Sequence, residues 1–292
     1  MSSIPILPYN PNLTGLATYV PDIPFAQFGE KTLRLQLLKP FWSSPQARCP
    51  LIVFVQGSAW TNPNPYHQIP QLSAFAQAGF VVASVTHRSR EEAPFPAFLQ
   101  DVKTAIRFLR AHADEHGIDP ERVGIWGTSS GGNMALLAGL TGEEYGTEDY
   151  AEQSSRVQAV ADCFGPADIR ALIDQNFPEA WNAPGNPMEE LSGKPMAESV
   201  AVFDAMSPTL LIRPGMDLPP FLLLHGDADE AVPFEQSEQC YRTLLDHGYR
   251  AALYRVPGAP HEQGFWSQDL LSVILRFLQE TLQADTKENE GM

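Results

Sequence analysis

The chain alternates between two hydrophobic periods. Residues 51–55 (LIVFV) and 80–85 (FVVASV) are unbroken apolar runs of strand length, the pattern of strands covered on both faces. Residues 32–38 instead alternate apolar with polar positions, which predicts a half-exposed strand at a sheet edge. Phe98, Val102, Ala105, Ile106 and Leu109 recur at helical spacing and predict an amphipathic helix over 96–113. Further strands are predicted at 122–126, 157–164, 221–224 and 251–256, with helices at 130–140, 234–247 and 265–283. The first 30 residues, rich in proline and asparagine, predict an irregular surface arm.

Strands alternating with helices imply an α/β fold: a mostly parallel central sheet flanked by helices. No internal repeat or low-complexity linker divides the 292 residues, so one domain is expected. Between Gly165 and Pro220 the rhythm breaks. That stretch is too long for a simple crossover, and Pro178, Pro187, Pro195 and Pro208 cut it into short pieces. A small cap or lid inserted at about 166–219 is the expected form, because long irregular segments in compact domains commonly serve function.

The chemistry concentrates in RVGIWGTSSGGNMALLAGL. A short apolar strand runs into Gly127-Thr128-Ser129-Ser130-Gly131, and a helix of small and apolar residues follows. The G-x-S-x-G spacing is what a serine on a sharp strand-to-helix turn requires, with glycines where neighbouring chain would otherwise clash. Of Ser129 and Ser130, only Ser129 has glycine at both offsets. The helix that follows presents free amides to developing negative charge, so the amide of Ser130 is a candidate oxyanion donor.

A serine nucleophile needs a base, and the base an orienting carboxylate. In the α/β-hydrolase arrangement the acid and then the histidine follow the serine on loops after strands. FLLLHGDADEAVP offers Asp227 and Asp229, and LYRVPGAPHEQGF offers His261. His247 precedes Gly248 at a predicted helix end, where capping is expected of it. Spacing alone leaves Asp227 and Asp229 both open, with Asp227 also suited to bracing the turn.

Composition narrows the partners. Hydrophobic residues make up 43% and charged residues 18% of the chain, as in ordinary globular proteins. The formal net charge of -16 opposes binding to nucleic acid or anionic membrane. MSSIPILPYNPNLTGL lacks the basic-then-apolar layout of a secretory signal, and no uncharged apolar run reaches membrane-spanning length. A cytoplasmic enzyme acting on a small molecule is expected, with homo-oligomerisation left open. Cys49, Cys163 and Cys240 form no CxxC pair, and Cys163 is expected to pack in the core.

Several other residues invite a second reading. His112-Ala113-Asp114-Glu115-His116 matches a zinc-peptidase pattern, but its place at a helix end closed by Gly117 predicts solvent-facing side chains. Arg88 and Glu92 are expected to pair with each other or to line a pocket. Trp60, Phe164, Phe177 and Trp181 are candidates for an aromatic acyl pocket, and each is equally explicable as core.

Together, LIVFVQGSAW, GIWGTSSGGNMA, ADCFGPAD, PPFLLLHGDADEAVP and VPGAPHE resemble bacterial carboxylesterases of the α/β-hydrolase superfamily, in the feruloyl and acetyl-xylan esterase-like group related to hormone-sensitive lipases. The resemblance runs from about residue 30 to near the end. It implies Asp229, the aspartate of an HG-x-x-D block, as the acid. It also implies oxyanion donors in the segment Gln56-Gly57-Ser58-Ala59-Trp60, where relatives read HGG-x-W. The amide of Ser58, with that of Gly57, is then expected to join the amide of Ser130. Gln56 replaces the usual histidine of that block, and Ser130 a common alanine. Esters of plant-wall sugars, including acylated oligosaccharides, are the implied substrates, with no cofactor or metal. An amidase such as an aryl-formamidase, or a peptidase, fits the same triad, and a binding protein on the same scaffold is the non-enzymatic alternative.

Overall fold

The computed structural model describes residues 4–11, 13–41 and 48–283. Among the described residues eight strands form one sheet: β1 (Ala17–Phe28), β2 (Lys31–Pro40), β3 (Cys49–Val55), β4 (Val81–Val85), β5 (Ile118–Thr128), β6 (Ala159–Cys163), β7 (Phe221–Gly226) and β8 (Ala251–Val256). Their spatial order is β1-β2-β4-β3-β5-β6-β7-β8. Only the β1–β2 and β2–β4 pairs are antiparallel; β4-β3-β5-β6-β7-β8 are joined in parallel.

Successive side chains of the central strands feed opposite cores. Leu51, Val53 and Val55 enter one, and Ile52 and Phe54 the other. Helices α1 (Ile69–Gln77) and α10 (Gln268–Leu282) cover the second face. The first face carries α2 (Ala97–Ala111), the short α3 (Ala113–His116), α4 (Ser130–Thr141) and α9 (Glu235–Asp246). No helix among the described residues is long and apolar enough to cross a membrane.

The first 30 residues depart from the predicted arm, since 17–28 is the edge strand β1. Pro21 and Pro24 hid it, and register shifts fall beside both. An outermost strand tolerates proline because one of its edges has no ladder to complete. Consequently β2, expected at the edge, is the second strand and is largely buried. Its polar position Gln36 is wholly buried and satisfied, accepting hydrogen bonds from Tyr19 Oη at 2.5 Å and the Asp22 amide at 3.1 Å.

Between β6 and β7 the chain forms α5 (Ile169–Asn176), α6 (Pro187–Ser192), α7 (Val200–Ala205) and α8 (Pro208–Leu211), with single 3-10 turns at Pro178–Asn182 and Met196–Glu198. Proline opens α6, α8 and the turn at 178, where its missing N–H costs no helical bond. The segment is tied down rather than loosely draped. Asn133 Nδ2 donates to the carbonyls of Pro166 and Met206, and Gln236 Oε1 accepts from the amides of Ala167 and Asp168.

Every residue of α4 is buried, which explains its run of small and apolar side chains. Gly132 lies so close to Asp162 on β6 that a Cβ there would stand 2.1 Å from Oδ1. Asp162 is fully buried and accepts one hydrogen bond, from the Gly165 amide at 3.0 Å; its Oδ2 has no partner among the described residues. Burial pushes its carboxyl up to about 8, with the Gly165 bond opposing. The folded protein therefore keeps a proton that the unfolded chain releases above about pH 4, so this group subtracts stability as pH rises from about 4 to 8. Asp162→Asn removes that dependence. Thermal melts should show the variant's Tm relative to wild type climbing by several degrees between about pH 5 and 8; a pH-independent difference would contradict the assignment.

Candidate active site

Ser129 sits at the junction of β5 and α4 with φ 51° and ψ -123°, a left-handed conformation unfavourable for a residue with a Cβ. The sequence makes it possible through two close approaches. A Cβ at Gly127 would lie 2.0 Å from the Gly131 carbonyl oxygen, and one at Gly131 would lie 2.1 Å from the carbonyl oxygen of Val55. The Ser129 amide donates to the Cys163 carbonyl at 2.9 Å, which fixes the turn to the neighbouring strand.

Three loops then converge. Ser129 Oγ lies 2.9 Å from His261 Nε2, and His261 Nδ1 lies 2.6 Å from Asp229 Oδ2. Asp229 Oδ1 accepts from the amides of Ala231 and Val232 at 2.9 and 2.8 Å. His225, which the sequence reading did not single out, completes the cradle. Its Nε2 faces both the Val232 carbonyl at 2.8 Å and Asp229 Oδ2 at 3.2 Å, two acceptors, so it carries the proton; Nδ1 accepts from Ser237 Oγ at 2.7 Å. Burial acts to raise the Asp229 carboxyl, but the hydrogen bonds from His225, His261 and Val232 outweigh it and hold the group far below the usual carboxylate range. A permanently charged carboxylate on Nδ1 fixes the imidazole tautomer and leaves Nε2 free to take a proton from serine. Phe164 packs edge-on against His261 with ring centroids 4.8 Å apart.

Asp227 is elsewhere in the turn. It accepts from the Gly258 amide and from Arg255 Nε at 2.5 and 2.7 Å, bracing the loop that carries His261.

The oxyanion segment is arranged differently from the expectation. Gly57 is not available as a donor, because its amide is given to Thr128 Oγ1 at 2.8 Å. The amide of Ser58 donates to Ser130 Oγ at 2.9 Å. The amides of Ser130, at the start of α4, and of Ala59 have no hydrogen-bond partner among the described residues, and both residues line the cavity. Ala59 was missed because its backbone, with φ 51°, turns in a way its side chain does not announce. Gln56 Oε1 accepts from the Asn64 amide at 2.6 Å, bracing the segment from the position of the expected histidine.

The cavity over Ser129 has a volume of about 510 Å³. Leu172, Phe177 and Met188 of the 166–219 segment join Trp60 and Val232 on its apolar wall, and His67, Arg90 and Glu262 supply its polar wall. Of the other aromatic candidates, Phe164 is buried behind His261, and Trp181 packs on Phe203 while donating to Asp174. Arg88 and Glu92 do not pair. Arg88 is held by the buried Asp101 at 2.8 Å, and Glu92 bonds to Lys31. His116 is buried rather than solvated, and His112 Nδ1 bonds to the Phe108 carbonyl at 2.8 Å.

Comparison with known proteins places the chain among esterases. The BD-FAE family model matches residues 39–244. Esterase LipQ of Mycobacterium tuberculosis is 29% identical over 84% of this chain, and Esterase LipC of the same organism is 30% identical over 74%. The chain spans about half the length of these relatives, 57% and 54%. A truncated carbohydrate esterase from gut microbiota superposes with a TM-score of 0.81 at 30% identity, over 92% of this chain and 98% of that one. Esterase Est2 of Thermogutta terrifontis does so with 0.74 at 26% identity, over 88% and 90%.

The two aspartates separate by experiment. Asp229→Asn presents an amide to His261 Nδ1 and should lower kcat on p-nitrophenyl acetate by about 10⁴-fold. Asp227→Asn should lower Tm while leaving kcat within about threefold. The reverse pattern would transfer the acid role to Asp227.

Proposed function

The chain belongs to the BD-FAE family, and from that premise we propose that it is a serine carboxylic-ester hydrolase working through an acyl-enzyme. The observation that carries this reading is the unbroken series Ser129 Oγ–His261 Nε2 at 2.9 Å and His261 Nδ1–Asp229 Oδ2 at 2.6 Å, opening into a cavity beside unpartnered amides.

His261 takes the serine proton as Oγ attacks the ester carbonyl, and Asp229 stabilises the imidazolium that forms. The negative charge on the carbonyl oxygen falls to the amides of Ser130 and Ala59, each worth roughly 3 kcal/mol in sites of this kind. His261 then protonates the departing alcohol. Water activated by the same imidazole frees the acid and restores the serine. Every step uses groups of this chain.

The cavity size suits a small molecule, since such sites commonly enclose about 300–1,000 Å³. Its apolar wall favours a hydrocarbon or aromatic acyl group, and its polar wall a hydroxyl-bearing leaving group. Feruloyl or acetyl esters of plant-wall sugars, down to acylated oligosaccharides, fit both requirements. The gut-microbiota neighbour described as a carbohydrate esterase supports that direction.

The test is a panel of p-nitrophenyl acetate to octanoate, methyl ferulate, acetylated xylo-oligosaccharides and N-formylkynurenine, with wild type and Ser129→Ala. Turnover of the feruloyl and acetyl sugar esters is expected, falling by about 10⁴-fold or more in the variant. Turnover of the formamide alone would move the assignment to an amidase. A folded wild type inert on every member would overturn the reading.

A further inference from the structure

The amide of Ser58 is a main-chain donor of the oxyanion segment, yet it does not face open cavity: it is hydrogen-bonded to Ser130 Oγ at 2.9 Å. Ser130 is 1% exposed, and it lines the cavity immediately beside Ser129. A hydroxyl is both acceptor and donor. Its acceptor side is used by Ser58. Its proton has no acceptor among the described residues, which leaves a buried O–H unsatisfied at the wall of the site.

Three further contacts hold the segment that meets that hydroxyl. Ser58 Oγ donates to the Thr61 carbonyl at 2.8 Å while Thr61 Oγ1 donates to the Ser58 carbonyl at 2.6 Å, so the segment holding the Ser58 amide is closed on itself. Thr128 Oγ1 fixes the preceding amide, that of Gly57. Residues on both sides of Ser129 thus bind the oxyanion segment through their hydroxyls, but only Ser130 carries a free amide of its own toward the cavity.

We propose that the side-chain hydroxyl of Ser130 is a third oxyanion donor, polarised by the Ser58 amide and completing a relay from the Ser58 N–H through Ser130 Oγ–H to the oxygen that becomes negative. No proton is transferred along it. The Ser58 N–H withdraws electron density from Oγ, which strengthens Oγ–H as a donor, as chained hydrogen bonds do. The resting enzyme keeps this donor preorganised, and its acceptor, the substrate carbonyl oxygen, gains its full negative charge only as the tetrahedral intermediate forms, so the bond strengthens most on the way to the transition state. Ser130 then contributes twice from one residue, once by its amide and once by its side chain.

This inference rests on the esterase reading above, and the two fail differently: an inert wild type sinks that reading, whereas an active enzyme indifferent to Ser130 sinks only this one. The experiment compares kcat and KM on p-nitrophenyl acetate, Tm, and inhibition by an aryl trifluoromethyl ketone, which forms an oxyanion hemiketal on Ser129. The variants are Ser130→Ala and Ser130→Cys. Cysteine fills the space of serine with a feeble donor, so it keeps the test open if alanine disturbs the fold. Both variants should lower kcat by at least about tenfold with KM within about twofold, and weaken the ketone by a similar factor. Unchanged or increased kcat would overturn the proposal, because the Ser58 amide, once released, would then be the direct donor and Ser130 only its occupant. A loss of Tm with kcat and ketone affinity unmoved would also overturn it.

Discussion

A Cβ placed at Gly131 would stand 2.1 Å from the carbonyl oxygen of Val55, and one at Gly127 would stand 2.0 Å from the carbonyl oxygen of Gly131. Without side chains at these two positions, the end of β3, the end of β5 and the start of α4 approach closely enough for Ser129 to take its left-handed backbone, and the rest of the site depends on that. From this turn Oγ meets the imidazole of His261, and α4 begins beside Ser129 with an amide that has no partner among the described residues. The strain is held by burial. All of α4 is enclosed, Asp162 supports it from β6, and Asn133 ties it to the segment that walls the cavity.

The same economy governs the charges. Asp229 has a wholly buried side chain, and it stays ionised because four donors meet it: two amides, His225 and His261. Asp162, equally buried with a single amide, stays protonated. Two buried carboxyls thus take opposite states according to how many hydrogen bonds each receives. His261 is consequently exposed to a fixed negative charge on one side and a strained hydroxyl on the other, with Phe164 holding the ring between them.

Much of this was readable in the chain. The parallel strands are continuous apolar runs because both faces are covered, and G-x-S-x-G marked the turn because no other residues fit its contacts. The unreadable parts have physical causes. Prolines concealed β1 because an edge strand spares one set of ladder bonds. Gln36 imitated an exposed position because its partners, Tyr19 and Asp22, lie on another strand. Sequence spacing could not separate Asp227 from Asp229, since both follow the same strand and the difference lies in which loop each faces. The amide of Ala59 has no side-chain signature at all, and the diversion of the Gly57 and Ser58 amides to Thr128 and Ser130 is a tertiary arrangement. His225 stood in the same HGDAD block, but its burial and its contact with Asp229 depend on the fold of the loop after β7 and were not read from the sequence.

In the proposed mechanism the turn and the Asp229–His261 pair together make Ser129 a nucleophile. Exposure to a diethyl phosphoryl organophosphate, followed by intact mass and peptide mapping, tests it without reference to any natural substrate. One phosphoryl adduct per chain is expected, on Ser129, forming about 10⁴-fold more slowly in His261→Ala. An adduct on Ser130, or labelling of Ser129 at the same rate without His261, would contradict it.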